Sequence, residues 1–337
     1  MQDTKIMSVA EAEELLFNAF VAAGVEDVPA QSTAKALAAA EAEGQVGHGF
    51  SRLDDYIAQV KSGKINAVAK IQSTRPSKTA IRTNADYGFA YPALDQAIEL
   101  GIETAHEFGS SSMSVFNSHH CGVLSIQVEK LANAGLIGFM FTNSPKAIAP
   151  WGSGEPIFGT NPIAFAAPRK NKEPLVIDLS LSKVARGKVM NAKKSGKEIP
   201  GDWALDKEGN ATTSPEAALQ GSMLPIGDAK GTSLALMVEI MVTAFAGGLF
   251  SKDASSFFEA EGPSPSIGQF LMAISPGRNS GAFLTRLEEL LSTIEALEGA
   301  RLPGMRRQKQ RTKSLNEGIS VPVQYLQTAE RLASGSV

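Results

Sequence analysis

The stretch Asn117-Ser118-His119-His120-Cys121-Gly122 leads through a helical run and an apolar strand into Asn143, then the turn Phe158-Gly159-Thr160-Asn161-Pro162, a second strand ending Ile177-Asp178-Leu179-Ser180, and finally Arg186-Gly187. Its polar and glycine-rich groups fall at the ends of apolar runs, where a rigid scaffold displays binding groups. Alternation of strand and helical segments continues on both sides, which predicts an α/β chain.

Upstream, residues 10–23 and 30–43 read as helices, the first closed by Gly24. Gly44-Gln45-Val46-Gly47-His48-Gly49-Phe50-Ser51-Arg52 holds three glycines around one histidine, so it reads as a loop whose backbone passes close to a ligand. Ser51 is placed to cap a helix through Lys61, with Asp54 and Asp55 in its first turn. Residues 67–82 turn short and β-like, 94–108 read as helix, and Met113 to Phe116 as the strand that delivers His119 and His120. Helix 123–133 and strands 136–142, 162–167 and 175–179 follow, then a polar surface excursion over 193–214. Ser233 to Ala246 is apolar nearly all round and is expected to be buried. A strand over 268–274, a helix over 282–297 and a basic tail complete the chain.

At 337 residues the chain suggests a large domain with an insertion, or two domains. A 43% hydrophobic, 20% charged composition with a net charge of -3 is that of a globular protein, and nothing in it points to nucleic acid or a membrane surface. No apolar run approaches the roughly 18 residues a spanning helix needs, and Met1-Gln2-Asp3-Thr4 lacks a signal peptide's basic start. With the one cysteine, Cys121, an intrachain disulfide is impossible, so a reducing cytoplasm is expected.

Several groups carry chemistry, each beside a plainer reading. His48 and Arg52 straddle a loop and a helix start: a proton-transferring imidazole and a carboxylate-binding fork, or a loop histidine and a solvated arginine. His119-His120-Cys121 invites a metal, but adjacent residues point in different directions and the chain has four histidines in all, so no metal is expected. His106 reads as structural and Cys121 as a buried thiol. Asp178 either pairs Arg186 or binds a ligand. Lys230-Gly231 at a helix start suits phosphate, although the dipeptide is common. Gly152-Ser153-Gly154 does not extend to G-x-G-x-x-G, so an ordinary Rossmann site is not supported, and no P-loop, H-E-x-x-H or G-x-S-x-G occurs.

His48 with Arg52, Ser118-His119-His120, Phe158-Gly159-Thr160-Asn161-Pro162 running into Ile163-Ala164-Phe165-Ala166-Ala167-Pro168, Asp178-Leu179-Ser180, Ala185-Arg186-Gly187, Lys230-Gly231 and Arg301-Leu302-Pro303-Gly304 together resemble the type 2 malate/L-lactate dehydrogenase family over nearly the whole chain. The resemblance implies a non-Rossmann α/β fold with a mixed, largely antiparallel central sheet and flanking helices, a nicotinamide dinucleotide and a homodimer. It implies a catalytic-histidine region over 1–115, completed by 260–337, and an NAD(P)-binding region over 116–259. It makes His48 the proton donor and assigns Arg52 and Thr160 to the substrate. His120, Cys121, Gly122, Val123, Leu124, Asp178, Leu179, Ser180, Arg186, Gly187 and Lys230 would line the cofactor, with Arg306 and Arg307 selecting NADPH over NADH. Within the family the Phe158–Arg169 run looks most like the reductases of Δ1-pyrroline-2-carboxylate and Δ1-piperideine-2-carboxylate, the first expectation. The alternatives are a 2-hydroxy acid dehydrogenase and a non-catalytic ligand-binding homologue. Gly47 and Lys188 stand where some imine reductases carry a serine and an aspartate.

Overall fold

A computed structural model describes residues 3–335. Strand β1 (Thr4–Met7) precedes α1 (Val9–Ala22), whose start is fixed by Ser8 and Glu11 capping each other's backbone. Then come α2 (Asp27–Ala42), two 3-10 turns (Val46–His48 and Phe50–Arg52), α3 (Leu53–Lys61), the hairpin β2 (Gln72–Ser77) and β3 (Ala80–Asn84), and α4 (Ala90–Phe108). The middle of the chain supplies β4 (Ser110–Ser118), α5 (Ser125–Asn133), β5 (Ile137–Thr142), β6 (Ile163–Arg169), β7 (Lys172–Leu179), α6 (Arg186–Lys194), β8 (Ala204–Leu205), α7 (Pro215–Gln220), β9 (Ser222–Met223) and α8 (Ala229–Glu239). A π-helical turn, Ile240–Phe245, extends α8; β10 (Ile267–Ile274), α9 (Ser280–Glu295), α10 (Met305–Glu317), β11 (Ile319–Pro322) and α11 (Val323–Ala333) finish it.

The main sheet has seven strands in the order β2-β3-β4-β10-β5-β6-β7. Only the β3–β4 pair is parallel, so the sheet is mixed and largely antiparallel. Its centre is β10, inserted between β4 and β5 from far along the chain and buried over most of its length. That burial on both faces explains its unbroken apolar pattern. A separate core joins α1, α2 and α3 to Ile319, Val321, Leu326 and Leu332 of the C-terminal segment. A second lies under α4 and α5 against the sheet, and a third between the sheet, α6 and α8.

The structure corrects several expectations. Ser51 caps nothing: its hydroxyl donates to Val46 O at 2.7 Å, and α3 begins at Leu53 after a 3-10 turn. Helix α4 starts at Ala90, with Pro92 tolerated in the first turn where its missing N–H has no intrahelical acceptor. Residues 115 and 116 both lie within β4. The expected burial of 233–246 fails on one side, where Leu234, Met237, Ile240 and Phe245 are 41–62% exposed. Short β1 and β11, which pair with each other, and helices α10 and α11 were not legible at all.

Candidate active site

Three segments meet at His48. The 3-10 turns carry His48 and Arg52; α3 contributes Tyr56 and Gln59 on the same face as Arg52; the end of β4 delivers His119 and His120. His48 and His120 stack with ring centroids 5.3 Å apart. His120 Nδ1 lies 2.6 Å from Tyr56 OH, which is itself 3.2 Å from Tyr91 OH. Gln59 fixes the tautomer beside it. Its amide nitrogen donates to Phe257 O at 2.7 Å, so its oxygen accepts from His119 Nε2–H, also at 2.7 Å.

Burial decides the charge of these rings. It pushes His48 down to about 4, with Arg52 adding to the shift, and His119 down to about 3. His120 falls well below its ordinary value for the same first reason. All three are neutral imidazoles at pH 7. His48 Nδ1 and Arg52 Nη1 are buried without a hydrogen-bonding partner, a combination that points to a ligand, because buried polar atoms are otherwise satisfied. Arg52 is anchored through Nε to Gly47 O at 2.8 Å, while its Nη1 is 3.8 Å from Asp55. Gly47 thus holds the arginine through its backbone and offers His48 no hydroxyl.

The turn before His48 borders a cleft of about 710 Å³ lined by Glu43 to Gln45, Ser125, Val176 to Leu179 and Arg301 to Arg307. Asp178 stands at its mouth. Desolvation raises its carboxyl, and Ser125 N donates to it at 2.8 Å; of the two readings of Asp178, the pairing with Arg186 does not form. Gly304 closes the floor at φ 80°, where a Cβ would meet Val176 O at 2.7 Å. Here a carboxylate suits ribose hydroxyls, guanidinium groups suit phosphate, and Gly122 at φ 66° lets the chain turn into α5. These residues fit a dinucleotide.

The other expected site residues divide. His120 to Leu124 run directly into Ser125 of the cleft, with Cys121 buried and its thiol pushed up to about 12 by burial. Leu179 lines the cleft, and Ser180 Oγ instead meets Ser182 Oγ at 3.1 Å. Thr160 N–H is held by Ser144 Oγ at 3.0 Å, and Thr160 O receives Leu181 N, tying that turn to the end of β7. Arg186 and Gly187 begin α6, and Arg186 lines a separate cavity of about 620 Å³ with Lys146 and Lys207. Lys230 is exposed in the first turn of α8. Arg306 and Arg307 part company: Arg306 is exposed at the cleft, whereas Arg307 is 7% exposed and bound by Glu43 and Glu129. Tyr56, Gln59, Phe257 and Phe258 escaped notice in the sequence. The signal available was the spacing Arg52, Tyr56, Gln59, which puts polar groups on one face of a helix start.

A cleft whose lining suits a dinucleotide, beside a neutral histidine and an arginine whose Nη1 makes no hydrogen bond, fits a nicotinamide-dependent oxidoreductase. The chain belongs to the malate/L-lactate dehydrogenase family, whose sequence model matches residues 7–329. It is 48% identical over 319 residues to the (2R)-3-sulfolactate dehydrogenase (NADP(+)) of Chromohalobacter salexigens, covering 95% of each chain. It is 35% identical to the Δ1-pyrroline-2-carboxylate/Δ1-piperideine-2-carboxylate reductase of Pseudomonas putida, covering 96% of this chain and 95% of that one. The crystal structure of Δ1-piperideine-2-carboxylate reductase from Pseudomonas syringae superposes with a TM-score of 0.93 at 34% identity, covering 98% of this chain and 100% of that one.

Proposed function

We propose that this chain is an NADP-dependent dehydrogenase of a small 2-hydroxy acid of the 3-sulfolactate type, working as a homodimer, with His48 as the proton-transferring group. The observation that carries this is the neutral, partnerless Nδ1 of His48, held beside Arg52. A bound nicotinamide supplies the hydride acceptor. In the oxidising direction His48 takes the O–H proton of the hydroxy acid as the C2 hydrogen leaves with its electron pair and the C2=O bond forms. Arg52 holds the carboxylate and orients C2, which is where proximity contributes most to rate. A neutral imidazole is ready for that proton. Reduction of a 2-keto acid or of an imine would each ask for the imidazolium, so the charge of His48 bears on the direction of reaction and not on the choice between them. The 48% identity to a sulfolactate dehydrogenase supports the hydroxy acid, as does Gly47 in place of a serine beside His48.

Reduction of Δ1-pyrroline-2-carboxylate and Δ1-piperideine-2-carboxylate to the cyclic amino acids is the second reading. The near-complete superposition on a Δ1-piperideine-2-carboxylate reductase favours it. The test is a side-by-side assay of 3-sulfolactate, L-malate and L-lactate with NADP+ or NAD+, and of the two imines with NADPH, followed at the nicotinamide absorbance. Turnover of hydroxy acids is expected. Turnover of the imines alone would move the protein to the imine reductases, with Gly47 and Lys188 tolerated.

A further inference from the structure

The loop between the π-helical turn and β10 is fastened to α3 and the turn that follows it by contacts that use the loop's main chain. Lys64 Nζ donates to Ser256 O, Glu259 O and Glu261 O at 2.7, 2.9 and 3.3 Å. Gln59 donates to Phe257 O, and Ser62 Oγ donates to Ala260 O at 2.6 Å. Carbonyl acceptors do not depend on the side chains that carry them, so this fastening fixes the loop while leaving its side chains free for other work. Two phenyl rings then point back at the site. Phe257 lies 4.9 Å from the His120 ring and 5.6 Å from the His119 ring. Phe258 sits over the Arg52 guanidinium, 4.6 Å from Cζ to ring centroid, and remains 54% exposed.

A singly exposed phenylalanine is ordinary, and what sets Phe258 apart is its ring stacked on the Arg52 guanidinium. We propose that Phe258 is a substrate-binding residue: its ring covers one face of Arg52, so that the acid's planar carboxylate meets the guanidinium edge in a dry pocket. The inference rests on the reading of Arg52 as the acid-binding group, and it holds for a hydroxy acid or a cyclic imine alike, since both carry a carboxylate on the reacting carbon. Cation–π stacking on one face leaves the in-plane N–H donors for the carboxylate and strengthens them by excluding water. Nη1 makes no hydrogen bond and lies 3.8 Å from Asp55.

The test uses oxalate, a planar dicarboxylate that needs no turnover, titrated into the NADP+-loaded protein by calorimetry for the wild type, Phe258→Ala and Phe258→Tyr. Expected is an about 10-fold weaker oxalate affinity for Phe258→Ala, the size of a desolvated cation–π contact, with NADP+ affinity unchanged and Phe258→Tyr close to wild type. In turnover, KM for the acid rises while kcat holds. Equal oxalate affinity in wild type and Phe258→Ala, or no oxalate binding by the wild type at 10 mM, overturns the proposal. Lys64→Met, which frees the loop, serves as the second variant and is expected to weaken oxalate in the same direction; an unchanged affinity there removes the pinned loop from the argument. Phe258-dependent oxalate binding without turnover of any assayed acid or imine would sink the activity reading and leave this one standing.

Discussion

Arg306 and Arg307 are neighbours in the chain with opposite surroundings. Arg307 Nη1 lies 3.2 Å from both Glu43 and Glu129, whose side chains are 2% and 7% exposed. Arg306 is free at the cleft. Replacing Arg307 by methionine leaves two carboxylates buried near each other, with Arg311 as their remaining cation, and is expected to cost about 3–5 kcal/mol in urea unfolding. Arg306→Ala is expected to leave stability unchanged and to raise KM for NADPH more than for NADH; equal effects on both would remove Arg306 from 2′-phosphate recognition. His48→Asn is expected to lower kcat by about 10²–10⁴, the usual range for losing a general base. The acid limb of kcat/KM for oxidation should then follow the free enzyme's His48, about 4, and not the ordinary value near 6.5. The same depression has a stability sign. Between 6.5 and about 4 the unfolded chain binds a proton that the folded His48 refuses, so its contribution is intact above 6.5 and lost as pH falls toward 4. Glu41 acts oppositely. Burial lifts its carboxyl to about 7 although Phe50 N–H donates to it, so the folded state loses stability as pH rises from 4.5 to 7.

At the scale of elements, glycines mark where backbones touch. A Cβ on Gly268 of β10 would fall 1.9 Å from Val242 O of the π-helical turn, and one on Gly231 would fall 1.9 Å from Ile226 O. Gly231, read beside Lys230 as part of a phosphate site, is thus required by the packing of the first turn of α8. Gly268→Ala is expected to destabilise by about 1–3 kcal/mol through overpacking, whereas Gly281→Ala in α9, with open space at its Cβ, should be neutral or slightly stabilising. Thermal melts of the two variants check the contrast; similar melting for both would mean the π-helical turn yields to β10. Glu239 binds these elements further, accepting from Asn161 Nδ2, Ser251 N and Ser251 Oγ, so the turn carrying Thr160 is tied to the end of α8.

For the whole molecule, the apolar face of α8 is the outstanding feature. Leu234, Met237 and Ile240 recur at intervals of three along it and are 41–50% exposed, with Phe245 beyond them at 62%. In the homodimer proposed above, a second copy covering this face would reconcile their exposure with the all-round apolar pattern. Sedimentation should find a dimer that Leu234→Glu with Ile240→Glu converts to monomer; a monomeric wild type would refute it. Among the described residues no helix is long and apolar enough to cross a membrane.

Local chemistry made much of this protein legible. The periods of 3.6 and 2, the glycines around His48, and the polar groups at strand ends were enough to indicate an α/β chain with candidate groups at His48, Arg52 and Asp178, because each depends on neighbours a few residues away. The motifs identified the family for the same reason. Tertiary structure alone decided the rest. The Phe257–Phe258 loop reaches α3 across 198 residues, β10 enters the sheet between β4 and β5, and Arg307 meets Glu43 across 264. No periodicity records such contacts. The protonation of His48 is of that kind too: an imidazole in a sequence is poised near neutrality, and only burial, with Arg52 beside it, keeps this one neutral at pH 7.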